Sequence, residues 1–220
     1  MRRARHRSPT PNRSTCRSNR SSGRRSRPGS SGSLGYSVAV GSGCLSSAVH
    51  EHRTAVRRPS TDRWSAVVTS TRLRPAAATD AEFLYSMAAD AAVMRWVGDG
   101  KPWTRTYFDR RFSRALATTD LDAPDRPMWS IGVEDAVPVG LLSLIRRSDH
   151  VEMGYWVHPE QWGRGCAGRM LGQARETVCN LASVATVARG NAASRRVLEK
   201  AGFTVVHDAD PLTYRRSPSS

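Results

Sequence analysis

Residues Val157-His158-Pro159-Glu160-Gln161-Trp162-Gly163-Arg164-Gly165-Cys166-Ala167-Gly168 combine types and spacing that suit the capture of an anion. An apolar strand halts at Pro159, a glycine-rich turn follows, and a helix opens directly after it. The first N–H groups of such a helix lack intrahelical acceptors and lie at the positive end of its dipole, which suits a phosphate or pyrophosphate. Gly163 and Gly165 keep side chains away from the main chain where an anion would approach. A plain tight connection fits the turn equally well, so the turn alone leaves both readings open. A second block runs from Gly190 to Phe203. Asn191 stands at its helix start, where capping explains it, and Gly202 stands past the helix end, where a C-terminal turn explains it. Arg195 and Arg196 fit a solvated helix face.

The elements that must position these groups follow from hydrophobic periodicity. Ala66-Val67-Val68-Thr69 together with Leu73-Arg74 predicts a first strand closed by Pro75. Thr79 or Asp80 caps a helix from Ala81 to about Ala89, with Phe83, Leu84 and Met87 on its apolar face. An apolar knot from Val93 to Val97 precedes Gly98-Asp99-Gly100. A second helix, starting near Thr104, carries Tyr107, Phe108, Phe112 and Leu116 at helical spacing, as core or pocket wall. Strands over 128–133, 137–145 and 151–157, joined by short turns, form an antiparallel run that leads into the glycine turn. A helix over about 165–182, a strand over 184–188, a helix over 192–201, a strand over 204–207 and a last edge strand over 212–215 complete the pattern. The expected fold is α/β (α+β): one domain with a mixed, mostly antiparallel sheet flanked by helices.

Charge is distributed unevenly over the 220 residues. Residues 1–60 hold thirteen Arg, no Lys and one acid, Glu51, and so account for +12 of the formal +15. That segment is rich in Arg, Ser, Gly and Pro and lacks apolar periodicity, so it cannot bury enough surface to offset the entropy of ordering. Residues 1–64 are therefore expected to form a disordered arm, and 65–220 the folded domain. Nucleic-acid binding is possible only through the arm, as are the roles of a transit peptide or of upstream sequence without function. Tyr36 is the lone aromatic of residues 1–60, which disfavours base stacking. The only lysines are Lys101 and Lys200, so the preference for Arg is chain-wide.

No apolar run is long enough to span a membrane, and none has the continuous core of a signal peptide. Cys16, Cys44, Cys166 and Cys179 show neither metal-ligand spacing nor a disulfide framework, so no metal is expected and a reducing cytoplasm is the expected setting.

Three separated blocks together carry a resemblance. Gly154-Tyr155-Trp156-Val157-His158-Pro159-Glu160 running into Trp162-Gly163-Arg164-Gly165-Cys166-Ala167 is the first. Asn191-x-x-Ser194 ending in Lys200-Ala201-Gly202-Phe203 is the second, and Thr71 to Pro75 with Asp80 and Val93 to Val97 the third. In this order they resemble the GNAT acyltransferase superfamily, and its RimJ/RimL-like branch in particular, over about residues 69–215.

The resemblance implies acetyl-CoA as donor and a primary amine as acceptor, a protein N-terminus or a small molecule, in a monomer or homodimer. It assigns the cofactor to Val157, Gly163, Arg164, Gly165, Cys166, Ala167, Gly168 and Asn191, with Arg195 or Arg196 for a ribose phosphate. Trp162 stands where the superfamily's turn begins with Arg or Gln. Gly168 and Arg169 stand where the branch often has Thr and Glu. Glu152 matches a carboxylate position that can act as general base, with His150 and His158 as rivals. A Tyr that many members use as proton donor is replaced by Leu198, and Ser194 is the possible substitute. Acceptor contacts are expected from Trp96, Trp103 and Tyr107. Two other function classes stay open: an acyl-CoA-binding sensor or scaffold with weak catalysis, and a nucleic-acid-binding protein acting through the arm.

Overall fold

Alternation along three central strands sets the architecture. In the computed structural model, which describes residues 70–121 and 123–218, these are β2 (Pro127–Glu134), β3 (Val137–Arg146) and β4 (His150–Val157). The expected arm and the 66–69 part of the expected first strand lie outside the described residues. β1 is Arg72–Pro75, and the sheet is completed by β5 (Ala182–Val187), β6 (Thr204–His207) and β7 (Leu212–Arg216). The order is β1-β2-β3-β4-β5-β7-β6, with β4 and β5 parallel and every other pair antiparallel. A mixed, mostly antiparallel sheet is what the sequence predicts.

Each sheet face buries its own core. Trp129, Ile131, Leu141 and Trp156 face α1 (Ala81–Ala89), α2 (Ala91–Met94) and α3 (Arg105–Leu116). Leu142, Leu144, Val151, Met153, Tyr155 and Val157 face the other way, into a cluster with α4 (Cys166–Thr177) and α5 (Ala192–Lys200). The two sets interleave along each strand because side chains alternate at period two. Phe108 of α3 is fully buried, which stabilises the first layer by about 2 kcal/mol. Thr104 caps α3 by accepting the Tyr107 N–H at 3.3 Å.

Three expectations need correction. The cap expected at Thr79 or Asp80 does not form. A 3-10 turn (Ala78–Asp80) precedes α1, and the Asp80 carboxylate instead grips the Arg74 guanidinium at 2.6 and 2.7 Å and accepts the Ala77 N–H. α4 stops at Thr177, short of 182, because the chain leaves helical geometry at Val178 (φ −111°, ψ 20°) and turns into β5. β7 is not an edge strand: it lies between β5 and β6. Its Leu212 and Tyr214 are buried, whereas every residue of β6 is exposed, so burial favours β7 in the interior.

Candidate functional site

A gap in the sheet creates the site. β4 pairs with β5 only at His150, Val151 and Glu152, whereas β3 follows β4 as far as Val157. Beyond Val184, β5 stays paired with β7 alone. The bonds from Arg147 N–H to His150 O (2.9 Å) and from His158 N–H to Val139 O (3.0 Å) fix the alternation of the β3–β4 ladder. Even-numbered β4 residues bond to β3, so Tyr155 and Val157 turn their N–H and C=O groups toward the side that β5 has left. An open strand edge inside a sheet can pair with the amides of an extended ligand. The Val157 carbonyl accepts the Trp162 indole N–H at 2.8 Å.

The glycine turn lies at the end of that edge. Gly163 (φ 76°) and Gly165 (φ 79°) adopt the left-handed region, and Gly165 is the N-cap of α4. The first turn of α4 therefore begins abruptly, with the N–H groups of Cys166, Ala167 and Gly168 ahead of its first intrahelical acceptors. Gly163, Arg164, Gly165 and Gly168 are exposed, whereas Cys166 and Ala167 point into the core. Arg164 turns sideways to Gln161 at 2.9 Å.

A brace holds the turn from behind. Arg169 donates to the Arg164 carbonyl (2.9 Å), to Thr71 Oγ1 (2.9 Å) and to Glu134 Oε1 through Nη2 (2.6 Å) and Nε (2.9 Å). Thr71 also donates to Glu134. Burial pushes the Glu134 carboxyl up, but these hydrogen bonds outweigh it and hold its pKa below the ordinary range. Burial pushes the Cys166 thiol up, with the Glu134 charge adding to the effect, which disfavours a reactive thiolate.

At the N-terminus of α5, buried Asn191 caps the helix by accepting the Ser194 N–H at 3.1 Å. Ser194 Oγ lies 2.9 Å from the hydroxyl of Tyr155, and both side chains are buried. Burial pushes the Tyr155 phenol far up, so it stays protonated. Leu198 is buried in the core. Arg196 is exposed on α5 with no polar contact among the described residues, and Arg195 folds back to the Tyr214 hydroxyl at 3.4 Å.

On the opposite sheet face, the Trp103 ring contacts Tyr107 (5.0 Å between centroids) and Trp156 (5.1 Å), so two of the expected acceptor residues meet. The Arg111 guanidinium lies over Trp103 and Tyr107, 5.1 and 5.5 Å from the ring centres. Trp96 stands apart from them, and its ring covers Gly190 beyond the end of β5. Glu152 lies where the gap opens; its Oε2 receives Arg147 Nε at 3.0 Å and Nη2 at 2.7 Å, and Arg147 also binds Asp125 at 2.5 Å. His150 engages Asp149 at 2.8 Å, and His158 stacks on Phe83.

Residues 71–204 match the family model of the acetyltransferase (GNAT) domain, well over half of the chain. The chain belongs to the GNAT acetyltransferase family. It is thus a GNAT-type acetyltransferase. Solved structures agree in fold. A spermidine N-acetyltransferase from Vibrio cholerae, in complex with CoA and spermine, shares 18% identity at a TM-score of 0.55, covering 66% of this chain and 93% of its own. RimL, a ribosomal L7/L12 α-N-protein acetyltransferase in complex with coenzyme A, shares 17% at 0.56, covering 69% and 96%. An aminoglycoside acetyltransferase in complex with coenzyme A shares 15% at 0.55, covering 67% and 95%. No curated protein sequence matches the chain significantly.

Within this GNAT domain, the elements bring together Val157, the turn 163–168 and the buried Tyr155–Ser194 pair. Tyr155 stands within a motif of the sequence, but no local spacing signals its role, because its partner lies 39 residues away. The Arg169–Glu134–Thr71 brace has no local signal either, since its members belong to distant segments. Among the described residues no group of three or more His, Cys, Asp or Glu could hold a metal, and no helix is long and apolar enough to cross a membrane.

Proposed function

We propose that this acetyltransferase moves the acetyl group of acetyl-CoA to a primary amine by direct attack in a ternary complex, as an enzyme of the RimJ/RimL-like kind acting in the cytoplasm. One observation carries the reading: the glycine-capped start of α4 lies at the end of an open main-chain edge, at Tyr155 and Val157, inside the sheet. The N–H groups of the turn 163–168 hold the pyrophosphate, with the α4 dipole behind them. The open edge pairs with the amides of the pantetheine arm, and its N–H donors stabilise the charge that develops on the thioester oxygen. Asn191 borders the arm, and Arg196, exposed, reaches the ribose phosphate.

The Tyr155–Ser194 pair stabilises the leaving thiolate by a hydrogen bond, and the thiolate takes its proton from solvent. Glu152 accepts the amine's proton through water. Trp103 and Tyr107 wall the acceptor side, with Trp96 where β5 ends. Residues 65–220 form the catalytic unit, and the basic arm, 1–64, is dispensable for turnover.

Mass spectrometry of an amine panel with acetyl-CoA tests this, beside calorimetric titration of acetyl-CoA. Gly165→Glu puts a side chain on a φ of +79° and a negative charge into the anion site, so acetyl-CoA binding should vanish. Glu152→Gln should leave that binding intact and lower turnover by about a hundredfold. Unchanged acetyl-CoA affinity in Gly165→Glu would overturn the site.

A further inference from the structure

On the α4 face of the sheet, at the end away from the glycine turn, lies a cavity of about 320 Å³. Leu73, Met128, Ser130, Leu142, Leu144 and Thr177 contribute to its lining. Packing along α4 explains its place. Gly132 of β2 and Gly140 of β3 carry no side chain, and Met170 occupies the room this leaves, so the helix sits close to the sheet there. One and two turns further on, the same helix face presents Ala174 and Thr177, whose side chains are short. Ser130, two residues from Gly132 and on the same face of β2, is short as well. Small groups on both sides leave the space between helix end and sheet.

Its walls set the chemistry of what fits. The leucines and Met128 make it mainly apolar, and the hydroxyls of Thr119, Ser130 and Thr177 can each donate or accept a hydrogen bond. Arg74 is the one ionisable residue in the lining, and both its terminal nitrogens are held by the buried Asp80 carboxylate, at 2.6 and 2.7 Å. The lining therefore offers no unbalanced charge. A charged ligand would give up its hydration without a counter-ion, whereas an uncharged apolar one gains by leaving water. Small-molecule sites commonly measure about 300–1,000 Å³ and combine apolar walls with a few polar groups. An apolar cavity of about 150 Å³ takes benzene, so roughly twice that volume suits two fused rings or a branched chain of similar size.

We infer that this cavity is a second ligand site, separate from the acyl-transfer site, for an uncharged, largely apolar molecule of two-ring size bearing one hydroxyl or carbonyl group. That group bonds to the hydroxyl of Thr119, Ser130 or Thr177. α4 runs twelve residues, Cys166–Thr177, or about 18 Å, with the glycine turn at one end and the cavity at the other. Trp103 and Tyr107 lie across the sheet. A molecule bound in the cavity thus meets neither the cofactor turn nor the acceptor wall, and it binds together with acetyl-CoA.

The test uses the full chain and three probes of one shape: 1-naphthol, uncharged near neutral pH, 1-naphthoate, and the quaternary 1-naphthyltrimethylammonium ion. In calorimetry 1-naphthol should bind at least about tenfold more tightly than either ion, with the same affinity when millimolar acetyl-CoA is present. In a chain carrying methyl-labelled methionine, 1-naphthol should shift the Met128 resonance and leave those of Met87 and Met94, across the sheet, in place. Ser130→Phe puts a ring into the cavity and should weaken 1-naphthol about tenfold or more while leaving acetyl-CoA affinity unchanged. No binding of 1-naphthol, binding no tighter than that of an ion, competition with acetyl-CoA, or full affinity in a folded Ser130→Phe would overturn the site. Should that variant fail to fold, the Met128 resonance of the unaltered chain decides, and an unmoved signal would overturn the site equally.

Discussion

Replacing Glu134 by Gln removes one charge from the brace behind the glycine turn while keeping its shape. Oε1 of Glu134 takes two Arg169 contacts, at 2.6 and 2.9 Å, and the two side chains are 10% and 33% exposed. Hydrogen bonds to charged groups contribute about 1.5–3 kcal/mol, and a neutral amide oxygen retains roughly half of that. Solvent around Arg169 trims the remainder further, leaving an expected loss of about 1 kcal/mol, or 2–4 °C in melting temperature for a domain of this size. The Glu134 pKa is depressed in the fold, so its contribution is complete above the unfolded carboxylate value of about 4.3 and is lost as pH falls through the folded value. The gap between wild type and Glu134→Gln should therefore be full at pH 7 and shrink below about pH 4. Arg169 also restrains the Arg164 carbonyl, so acetyl-CoA should bind roughly fivefold more weakly to the variant at pH 7. Thermal unfolding at several pH values and calorimetric titration measure both effects. A pH-independent gap, or unchanged melting and affinity at pH 7, would refute the brace.

Two further predictions concern other parts of the domain. Tyr155→Phe removes the partner of Ser194 Oγ in a buried setting; it should cost about 1 kcal/mol in urea unfolding and lower kcat more than it raises the KM for acetyl-CoA. An unaltered kcat would remove the pair from the stabilisation of the leaving thiolate. Asp80→Asn should destabilise the junction of β1 and α1 by about 2 kcal/mol at pH 7, because Asp80 is buried against Arg74 and its pKa is lowered chiefly by that hydrogen bond. Its effect too should fade as pH falls below about 4, and a constant loss down to pH 3 would contradict the pairing.

The chain's local patterns made most of the elements legible. Thr104 ahead of Tyr107, Phe108 and Phe112 marked α3, and alternation through 128–157 marked the three central strands, because capping and side-chain period act within a few residues. The turn 163–168 was legible for the same reason: left-handed glycines and a helix start are local. Where local signals compete, tertiary packing chose. Asp80 looked like a cap but was taken by Arg74, and β7 looked like an edge but was drawn inward by Leu212 and Tyr214.

By itself the sequence determined the kind of fold, the glycine turn that opens α4 and the family these blocks resemble. Only the tertiary structure decided that β4 and β5 part after Glu152, that Tyr155 meets Ser194, and that Arg169 reaches Glu134 and Thr71. Each of these joins residues far apart in the chain, and such contacts are settled by which apolar faces pack together rather than by any local spacing.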